Sequence, residues 1–330
     1  MLRLTWKRLA LVGLLGLALA GCQKPKSGAG RPLEVAFIPK LVGIPFFNSA
    51  RLGAEQAARE LGVQMTYAGP PSADAALQVN VIQDMIAKQV DVLAVAANDP
   101  SSLAPVLRRA RKAGIKVITW DSDSLADARE FFVNQVMDEQ LGRHVMRLLA
   151  GQMGGRGEYA IITGALTASN LNNWMEWMKR EQREHYSEMK LVTVVPCDDD
   201  QQKAFVQGQT LLQAYPNLKG IIGNSSAAPP GAAQAVEQAG KSGQVAVVGL
   251  SSPNLMRDYI KRGTARTITL WDPRQLGYLA MYMAVRLGRG SLPQDGQQVP
   301  SIGPVRFQNG VVIMGEPLDF TKDNVDRYDF

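Results

Sequence analysis

The chain has 330 residues, of which 46% are hydrophobic and 20% are charged, and its formal net charge is +6. These proportions are typical of a globular protein and exclude collagen-like, disulfide-scaffold and wholly disordered classes. Three cationic residues lie within the first eight positions, and no acidic residue precedes position 22. The remaining positive excess is too small and too scattered to indicate a nucleic-acid partner.

The N-terminus predicts an export signal over residues 1–21. Arg3, Lys7 and Arg8 precede an apolar run at residues 9–20, which is shorter than the roughly 20 residues that span a bilayer and fits a secretory signal. The run ends in Leu-Ala-Gly-Cys, which resembles the lipobox of bacterial lipoproteins, so lipidation is expected at Cys22; an ordinary signal peptide with a chance cysteine is the alternative. Residues 22–32 are predicted to be a flexible tether, and the protein is expected to be extracytoplasmic and membrane-anchored.

Short β-branched runs alternate with longer helical patterns through the first half of the mature chain. Strands are predicted at residues 34–38, 63–67, 92–96 and 116–120, with helices at about 46–61, 74–89 and 101–113. This alternation indicates parallel strands joined by crossover helices.

The same alternation restarts after a predicted strand at residues 131–134 and a helix near 138–150. Strands are predicted at 159–163, 191–195, 220–223, 245–250, 267–270 and 311–314, helices at about 171–186, 201–214, 230–240, 253–262 and 274–288, and a loop at 288–298. Two α/β units of similar design therefore lie in tandem.

Polar and aromatic side chains follow many of these strands. In open α/β sheets a ligand binds beyond the carboxyl ends of the strands, so two facing units would form a cleft there. Carboxylates and amides match the hydrogen-bonding character of hydroxyl groups, and aromatic faces can cover the apolar side of a sugar. The expected contacts with a small polyhydroxylated ligand are Lys40, Phe46, Phe47, Asp99, Asp121, Asn170, Asn224, Ser226, Trp271 and Asp272.

Each of these assignments has a structural alternative. Polar residues in loops between strands and helices commonly cap the following helix, which applies most strongly to Asp99 before Pro100. Phe46 and Phe47 stand at a predicted helix start and could instead belong to the core.

Five segments carry a resemblance to a known family. Residues 35–47 (VAFIPKLVGIPFF), 116–123 (KVITWDSD), 247–263 (VVGLSSPNLMRDYIKRG), 270–272 (LWD) and 320–330 (FTKDNVDRYDF) resemble the autoinducer-2-binding proteins of Lsr transporters, within the type I periplasmic sugar-binding proteins that include ribose and rhamnose binders. The resemblance implies an α/β fold of two doubly wound parallel-sheet lobes joined by a multi-stranded hinge. The expected lobes are residues 33–136 with about 273–300, and residues 137–272 with about 301–330.

The resemblance carries over unevenly to the binding residues. The family's ligand-contacting lysine and aspartate match Lys40 and Asp121, whereas its Asp-Gln pair corresponds to Asn170 and Leu171. Its Pro-Asp-Ala segment aligns with residues 224–226, where Asn224 is similar to the ribose-type pattern. The first half of the site is thus retained and the second rewritten, which favours a related small sugar or deoxysugar over autoinducer-2 itself.

No HExxH, CxxC or GxSxG motif occurs, so neither an enzyme nor a bound metal or cofactor is expected, and Cys197 is interpreted as a small buried residue. The predicted function is the solute-binding lipoprotein of an ABC importer: a monomer whose partners are the ligand, the permease and, through its lipid, the membrane. A receptor for autoinducer-2 or a sugar in signalling or chemotaxis is the alternative. A sugar-responsive repressor would need a DNA-binding N-terminus where this chain has its signal.

Overall fold

Strands and helices alternate along residues 31–330, the part of the chain that the computed structural model describes. The strands are β1 (Glu34–Ile38), β2 (Gln64–Tyr67), β3 (Val92–Val95), β4 (Lys116–Trp120), β5 (Phe131–Asn134), β6 (Gly157–Thr163), β7 (Met189–Pro196), β8 (Leu218–Asn224), β9 (Ala246–Gly249), β10 (Ile268–Leu270), β11 (Gln297–Val299), β12 (Gly303–Gln308), β13 (Val311–Ile313) and β14 (Leu318–Phe320). The helices are α1 (Pro45–Leu61), α2 (Ala75–Ala87), α3 (Pro100–Lys112), α4 (Asp138–Met153), α5 (Ser169–His185), α6 (Gln201–Ala214), α7 (Ala228–Gln238), α8 (Pro253–Arg262) and α9 (Pro273–Gly288).

The predicted signal, the lipidation site at Cys22 and the tether up to residue 30 lie outside the described residues. Within the part that is described, no helix is both long enough and apolar enough to cross a bilayer.

The first lobe contains an eight-stranded sheet in the order β11-β12-β13-β5-β4-β3-β1-β2. Its strands β1 to β5 and β13 run parallel, and β12 pairs antiparallel with both of its neighbours. Side chains alternate across the sheet: Val35 and Phe37 of β1 join one apolar cluster, and Ala36 and Ile38 join the other. Helices cover both faces, as a parallel sheet requires.

Two glycines allow α1 and α9 to pack at very short range. A Cβ atom on Gly53 would lie 1.8 Å from the carbonyl oxygen of Arg274, and one on Gly277 would lie 1.8 Å from that of Ala50. Any larger residue at either position would force the helices apart. This contact fixes the position of α1, whose first turn carries Phe46 and Phe47.

The second lobe contains a parallel sheet in the order β7-β6-β8-β9. Helix α4 packs against α5, and α6 packs against α7. The short antiparallel pair β10–β14 extends this sheet through a bridge between Leu250 and Thr269.

The chain passes between the lobes three times, after β5, after β10 and after β13. The first and third passages are joined by backbone hydrogen bonds, from Met314 N to Asn134 O at 2.9 Å and from Gly315 N to Gln135 O at 3.1 Å. The lobes are therefore connected by a set of neighbouring segments.

The α/β architecture predicted from the sequence is confirmed, but the placement of the C-terminal segment differs from the expectation. Residues from about 301 were assigned to the second lobe, whereas β12 and β13 belong to the sheet of the first lobe. Strand β13 lies parallel to β5, with Val312 opposite Val133, and pairs backbone groups that would otherwise form an open sheet edge. Only the final segment, with β14, joins the second lobe.

Candidate ligand-binding cavity between the two lobes

A cavity lies where the carboxyl ends of the two parallel sheets face each other. Its volume in this arrangement of the lobes is about 30 Å³, room for about one or two water molecules. Its lining residues are Lys40, Ile44, Phe46, Phe47, Asp121, Asn170, Leu171, Trp174, Asp199, Ser225, Ser226, Leu250, Leu270 and Trp271. The structure thus brings together seven of the ten residues that the sequence singled out.

Lys40 is the cation of this cavity and contacts both lobes. Its Nζ lies 3.4 Å from Asp121 Oδ2 in the first lobe and donates to Asn170 Oδ1 in the second lobe at 3.3 Å. The whole residue is only 4% exposed. A buried ammonium must be paired to be tolerated, and these two contacts provide that pairing.

Buried amides fix the backbone that carries Lys40. Gln78 of α2 donates to the carbonyl oxygens of Pro39 and Ala96 at 2.9 and 2.7 Å, and its own oxygen accepts from Asn98 N. Asn98 Nδ2 donates to the carbonyl oxygen of Lys40 at 2.7 Å. The loops after β1 and β3 are therefore tied together behind the cavity, a role of Gln78 that the sequence analysis missed.

Asp121 follows β4 in a left-handed conformation, with φ at +59°. Such a conformation is uncommon for a residue other than glycine, although aspartate tolerates it better than most. Burial raises the pKa of the Asp121 carboxyl; the nearby Lys40 ammonium opposes this shift and the charge of Asp199 adds to it. The carboxylate is thus held in the cavity by a strained backbone and by one cation.

Asp199 supplies a second buried carboxylate from the opposite lobe. It lies after β7, is 6% exposed, and its Oδ2 has no hydrogen-bond partner among residues 31–330. A Cβ on Gly164 would lie 2.5 Å from Asp199 Oδ1, so the glycine leaves the room that this side chain needs. Asp199 is not among the residues expected from the sequence, although the acidic run at residues 198–200 also follows a predicted strand, where a ligand is expected to bind.

Aromatic rings form one wall of the cavity. Phe46 packs edge-on against Phe47 and Trp271, with ring centroids 5.1 and 6.0 Å apart, and Trp271 packs against Trp174 at 5.6 Å. Trp174 is held from behind because its Nε1 donates to Asp138 Oδ1 at 2.9 Å. These rings give the lining of the cavity a flat apolar surface.

The loop after β8 places Ser225 and Ser226 at the cavity, but Asn224 lies behind the lining. Asn224 is fully buried, and its Nδ2 donates to Leu171 O at 2.9 Å and to Thr163 Oγ1 at 3.3 Å. These bonds join β6, β8 and α5, so Asn224 supports the backbone next to the cavity.

Asp99 and Asp272 also lie outside the cavity lining. The carboxylate of Asp99 accepts from Ser102 N at 2.5 Å and begins α3, and that of Asp272 accepts from Arg274 N at 2.7 Å and begins α9. Both therefore serve as helix N-caps, the structural alternative that the sequence left open for Asp99.

The lobes touch at the rim of the cavity through hydroxyl groups of the second lobe. Thr167 Oγ1 donates to Asn98 O at 3.0 Å, and Ser169 Oγ donates to Asp123 O at 3.1 Å. Together with the bond between Lys40 and Asn170, these contacts hold the lobes in a closed arrangement.

Two other groups of reactive side chains are not part of the cavity lining. Cys197 is fully buried, as the sequence predicted, and burial raises the pKa of its thiol to about 12. Glu181, Glu184 and His185 bring metal-ligand atoms within 4.8 Å of one another on α5. Arginines already occupy both carboxylates: Arg147 donates to Glu181 at 2.7 Å, and Arg143 to both glutamates at 2.7 Å.

Comparison with known proteins gives consistent similarities over nearly the whole described chain. Residues 35–291 match the family model described as "Periplasmic binding protein domain". The structure of LsrB from Clostridium saccharobutylicum in complex with AI-2 is 30% identical, with a TM-score of 0.85 and coverage of 90% of this chain and 100% of that one. An ABC transporter solute-binding protein from Clostridium phytofermentas with bound L-rhamnose is 32% identical, with a TM-score of 0.86 and coverage of 90% and 98%. The D-allose-binding periplasmic protein of Escherichia coli K12 is 29% identical over 285 residues, which is 82% of this chain and 88% of that protein.

Proposed function

Because this chain belongs to the periplasmic binding protein family, we propose that it captures a small sugar, a deoxysugar or an autoinducer-2-like polyol outside the cytoplasm and delivers it unaltered to an ABC permease. The similar proteins support this class of function, since they include solute-binding proteins named for AI-2, L-rhamnose and D-allose.

One observation carries the proposal. The Lys40–Asp121 pair lies buried in a cavity at the carboxyl ends of both sheets, and aromatic rings line the same cavity. Charged groups make stronger hydrogen bonds with hydroxyls than neutral groups do, and aromatic surface excludes water from the other side of a ligand. A polyol with one apolar edge matches both halves of that lining.

The lining of the second lobe favours a ligand with an apolar substituent. Leu171 stands where related autoinducer-2 binders have an amide, and it lies in the cavity with Leu250 and Leu270. A hydroxyl directed at these side chains would lose its partners in water without gaining new ones. A deoxysugar, whose methyl group needs no such partner, is therefore the preferred candidate within the proposed class.

Capture involves closure of the lobes about their connecting segments. A ligand that contacts both lobes stabilises the closed arrangement by its differential affinity for that state. The closed protein then docks on its permease, and a lipid on Cys22 keeps it at the membrane.

The proposal is tested by isothermal titration of the purified protein with L-rhamnose, D-allose, D-ribose and autoinducer-2. We expect micromolar or tighter binding of at least one of them, with L-rhamnose ahead of autoinducer-2, and a matching rise in melting temperature. Binding of none of the four would contradict the proposed ligand class, and conversion of any of them into a product would contradict capture without chemistry.

Import and signalling are separated in cells. In a strain from which an ABC permease encoded beside this protein has been deleted, uptake of the radiolabelled ligand should be lost. The receptor alternative would be favoured by two results in a strain that lacks this protein: normal uptake of the ligand and loss of a ligand-dependent response.

A further inference from the structure

We propose that Asp199 is the ligand-binding carboxylate of the second lobe, which accepts a hydrogen bond from a hydroxyl group of the bound sugar and makes the site depend on that hydroxyl. This inference rests on the proposed function and names the part of the ligand that the second lobe recognises.

The hydrogen-bonding state of Asp199 points to a ligand. The residue lines the cavity, is 6% exposed, and its Oδ2 accepts no hydrogen bond from any described residue. A carboxylate accepts hydrogen bonds and donates none, and leaving one buried without donors is costly. A hydroxyl-bearing ligand in the cavity would supply the missing donor.

The neighbouring charges do not satisfy this carboxylate. Lys40 is the cation among the lining residues, and its Nζ already contacts Asp121 and Asn170. The adjacent acids are both engaged elsewhere, since Asp198 pairs with Lys203 Nζ at 3.2 Å and Asp200 accepts from Lys203 N at 2.8 Å. Of the three consecutive aspartates, Asp199 is thus the one directed to the ligand.

Asp199 is also the carboxylate that the second lobe presents in the cavity lining. Asn170, at the start of α5 after β6, presents an amide instead. Asp199 follows β7, which pairs with β6 in the same sheet. The second lobe therefore still offers one carboxylate to the cavity, from the end of the adjacent strand.

Asparagine substitution tests this role with a matched control. Asp198 and Asp199 both adopt left-handed backbone conformations, with φ at +52° and +57°, which asparagine tolerates as well as aspartate. We expect Asp199→Asn to weaken binding of the tightest ligand of the four-compound panel at least tenfold, and Asp198→Asn to change it less than twofold. The melting temperature of ligand-free Asp199→Asn should equal or exceed that of the parent, because the change removes a buried carboxylate without donors.

Monodeoxy analogues of that ligand make the test independent of folding. In a double-mutant cycle, one deoxy position should cost the parent at least tenfold in affinity and the Asp199→Asn variant less than twofold. An affinity of Asp199→Asn within twofold of the parent, or additive losses at every deoxy position, would overturn the inference while the proposed function stands. Absence of binding by the parent to all four compounds would instead overturn the proposed function, and this inference with it.

Discussion

The two halves of the cavity hold their polar groups in different ways. In the first lobe, Lys40 and Asp121 pair with each other, and the buried amide of Gln78 fixes the loop that carries the lysine. In the second lobe, Asp199 Oδ2 has no hydrogen-bond partner among residues 31–330, and the apolar side chain of Leu171 lines the same cavity. Asp121 Oδ2 in the first lobe also accepts no hydrogen bond, but it has the Lys40 ammonium at 3.4 Å. In the proposed function, the first half is largely assembled before a ligand arrives, whereas the second half is completed by one. The proposal thus assigns general capture of polyols and choice among them to different lobes.

The largest expected effect comes from removing the charge of the preassembled half. Asp121→Asn leaves Lys40 without its anionic partner. It also replaces charge-assisted hydrogen bonds to the ligand, which are worth about 1.5–3 kcal/mol each, with weaker hydrogen bonds from a neutral amide. We expect the affinity for the panel's tightest ligand, measured by calorimetry, to fall about 10- to 100-fold. Asp99→Asn is the control, because its carboxylate caps α3 outside the cavity. Equal losses of affinity in both variants would contradict the assignment of Asp121 to ligand binding and of Asp99 to helix capping.

The amide behind the first half is expected to matter chiefly for stability. Gln78→Leu leaves the carbonyl oxygens of Pro39 and Ala96 and the N–H of Asn98 without their present partner. At a cost of about 1–3 kcal/mol for each buried unsatisfied group, urea denaturation should show a free energy of unfolding lower by roughly 3 kcal/mol. Gln56→Leu, on the partly exposed side of α1, should change it by less than about 0.5 kcal/mol. A stable Gln78→Leu variant with normal affinity would show that the loop needs no such support.

Substitutions in the part of the cavity that the second lobe contributes should change which ligand is preferred rather than abolish binding. Asn170→Asp combined with Leu171→Gln restores the pair seen in the autoinducer-2 binders that this chain resembles. We expect the affinity for autoinducer-2 to rise about tenfold, as for one added charge-assisted hydrogen bond, and that for L-rhamnose to fall. The two single variants serve as controls, and an unchanged preference would show that these positions do not set specificity.

The smallest expected effect is a dependence on pH. The pKa of Asp121 is raised above its ordinary value near 3.8 by burial, so the carboxylate form, which we propose binds the ligand, is lost as the pH falls through that raised value. The folded state binds this proton more tightly than the unfolded state, so this group's contribution to stability decreases as the pH rises across the same interval. Calorimetry and thermal denaturation from neutral pH to about 4 should therefore show weaker binding but, from this group, greater ligand-free stability in acid. Asp121→Asn should lack both trends; the same trends in that variant would assign them to other groups.

The sequence predicted the first half better than the second because of where the side chains stand. Asp121 directly follows β4, and Lys40 lies two residues after β1, so the rule that ligands bind beyond strand ends predicts their place in the cavity lining. The same rule misplaced Asp99 and Asp272, which precede Pro100 and Pro273 at the first helical position and therefore cap helices. An aspartate that follows a strand and precedes a proline is better interpreted as a helix N-cap. Asp121 precedes Ser122 and not a proline, so this interpretation does not apply to it.

Other features depended on contacts that no local pattern reveals. Of the three consecutive aspartates, Asp198 and Asp199 adopt left-handed backbone conformations and Asp200 caps α6. The sequence does not distinguish them, whereas in the structure Asp199 packs against Gly164 and lines the cavity. Strand β13 was predicted as a strand, but its partner β5 lies about 180 residues earlier in the chain. Periodicity indicates that a segment is a strand. Which sheet it joins depends on which distant strand it pairs with, and the local pattern does not reveal that strand.

That late strand ties the integrity of the first lobe to the completion of synthesis. The edge of β5 stays open until residues 311–313 pair with it, so a polypeptide that ends before these residues has an unpaired strand edge in its larger sheet. Such an edge can pair with strands of other chains, which makes the last part of the polypeptide a requirement for a protected first lobe.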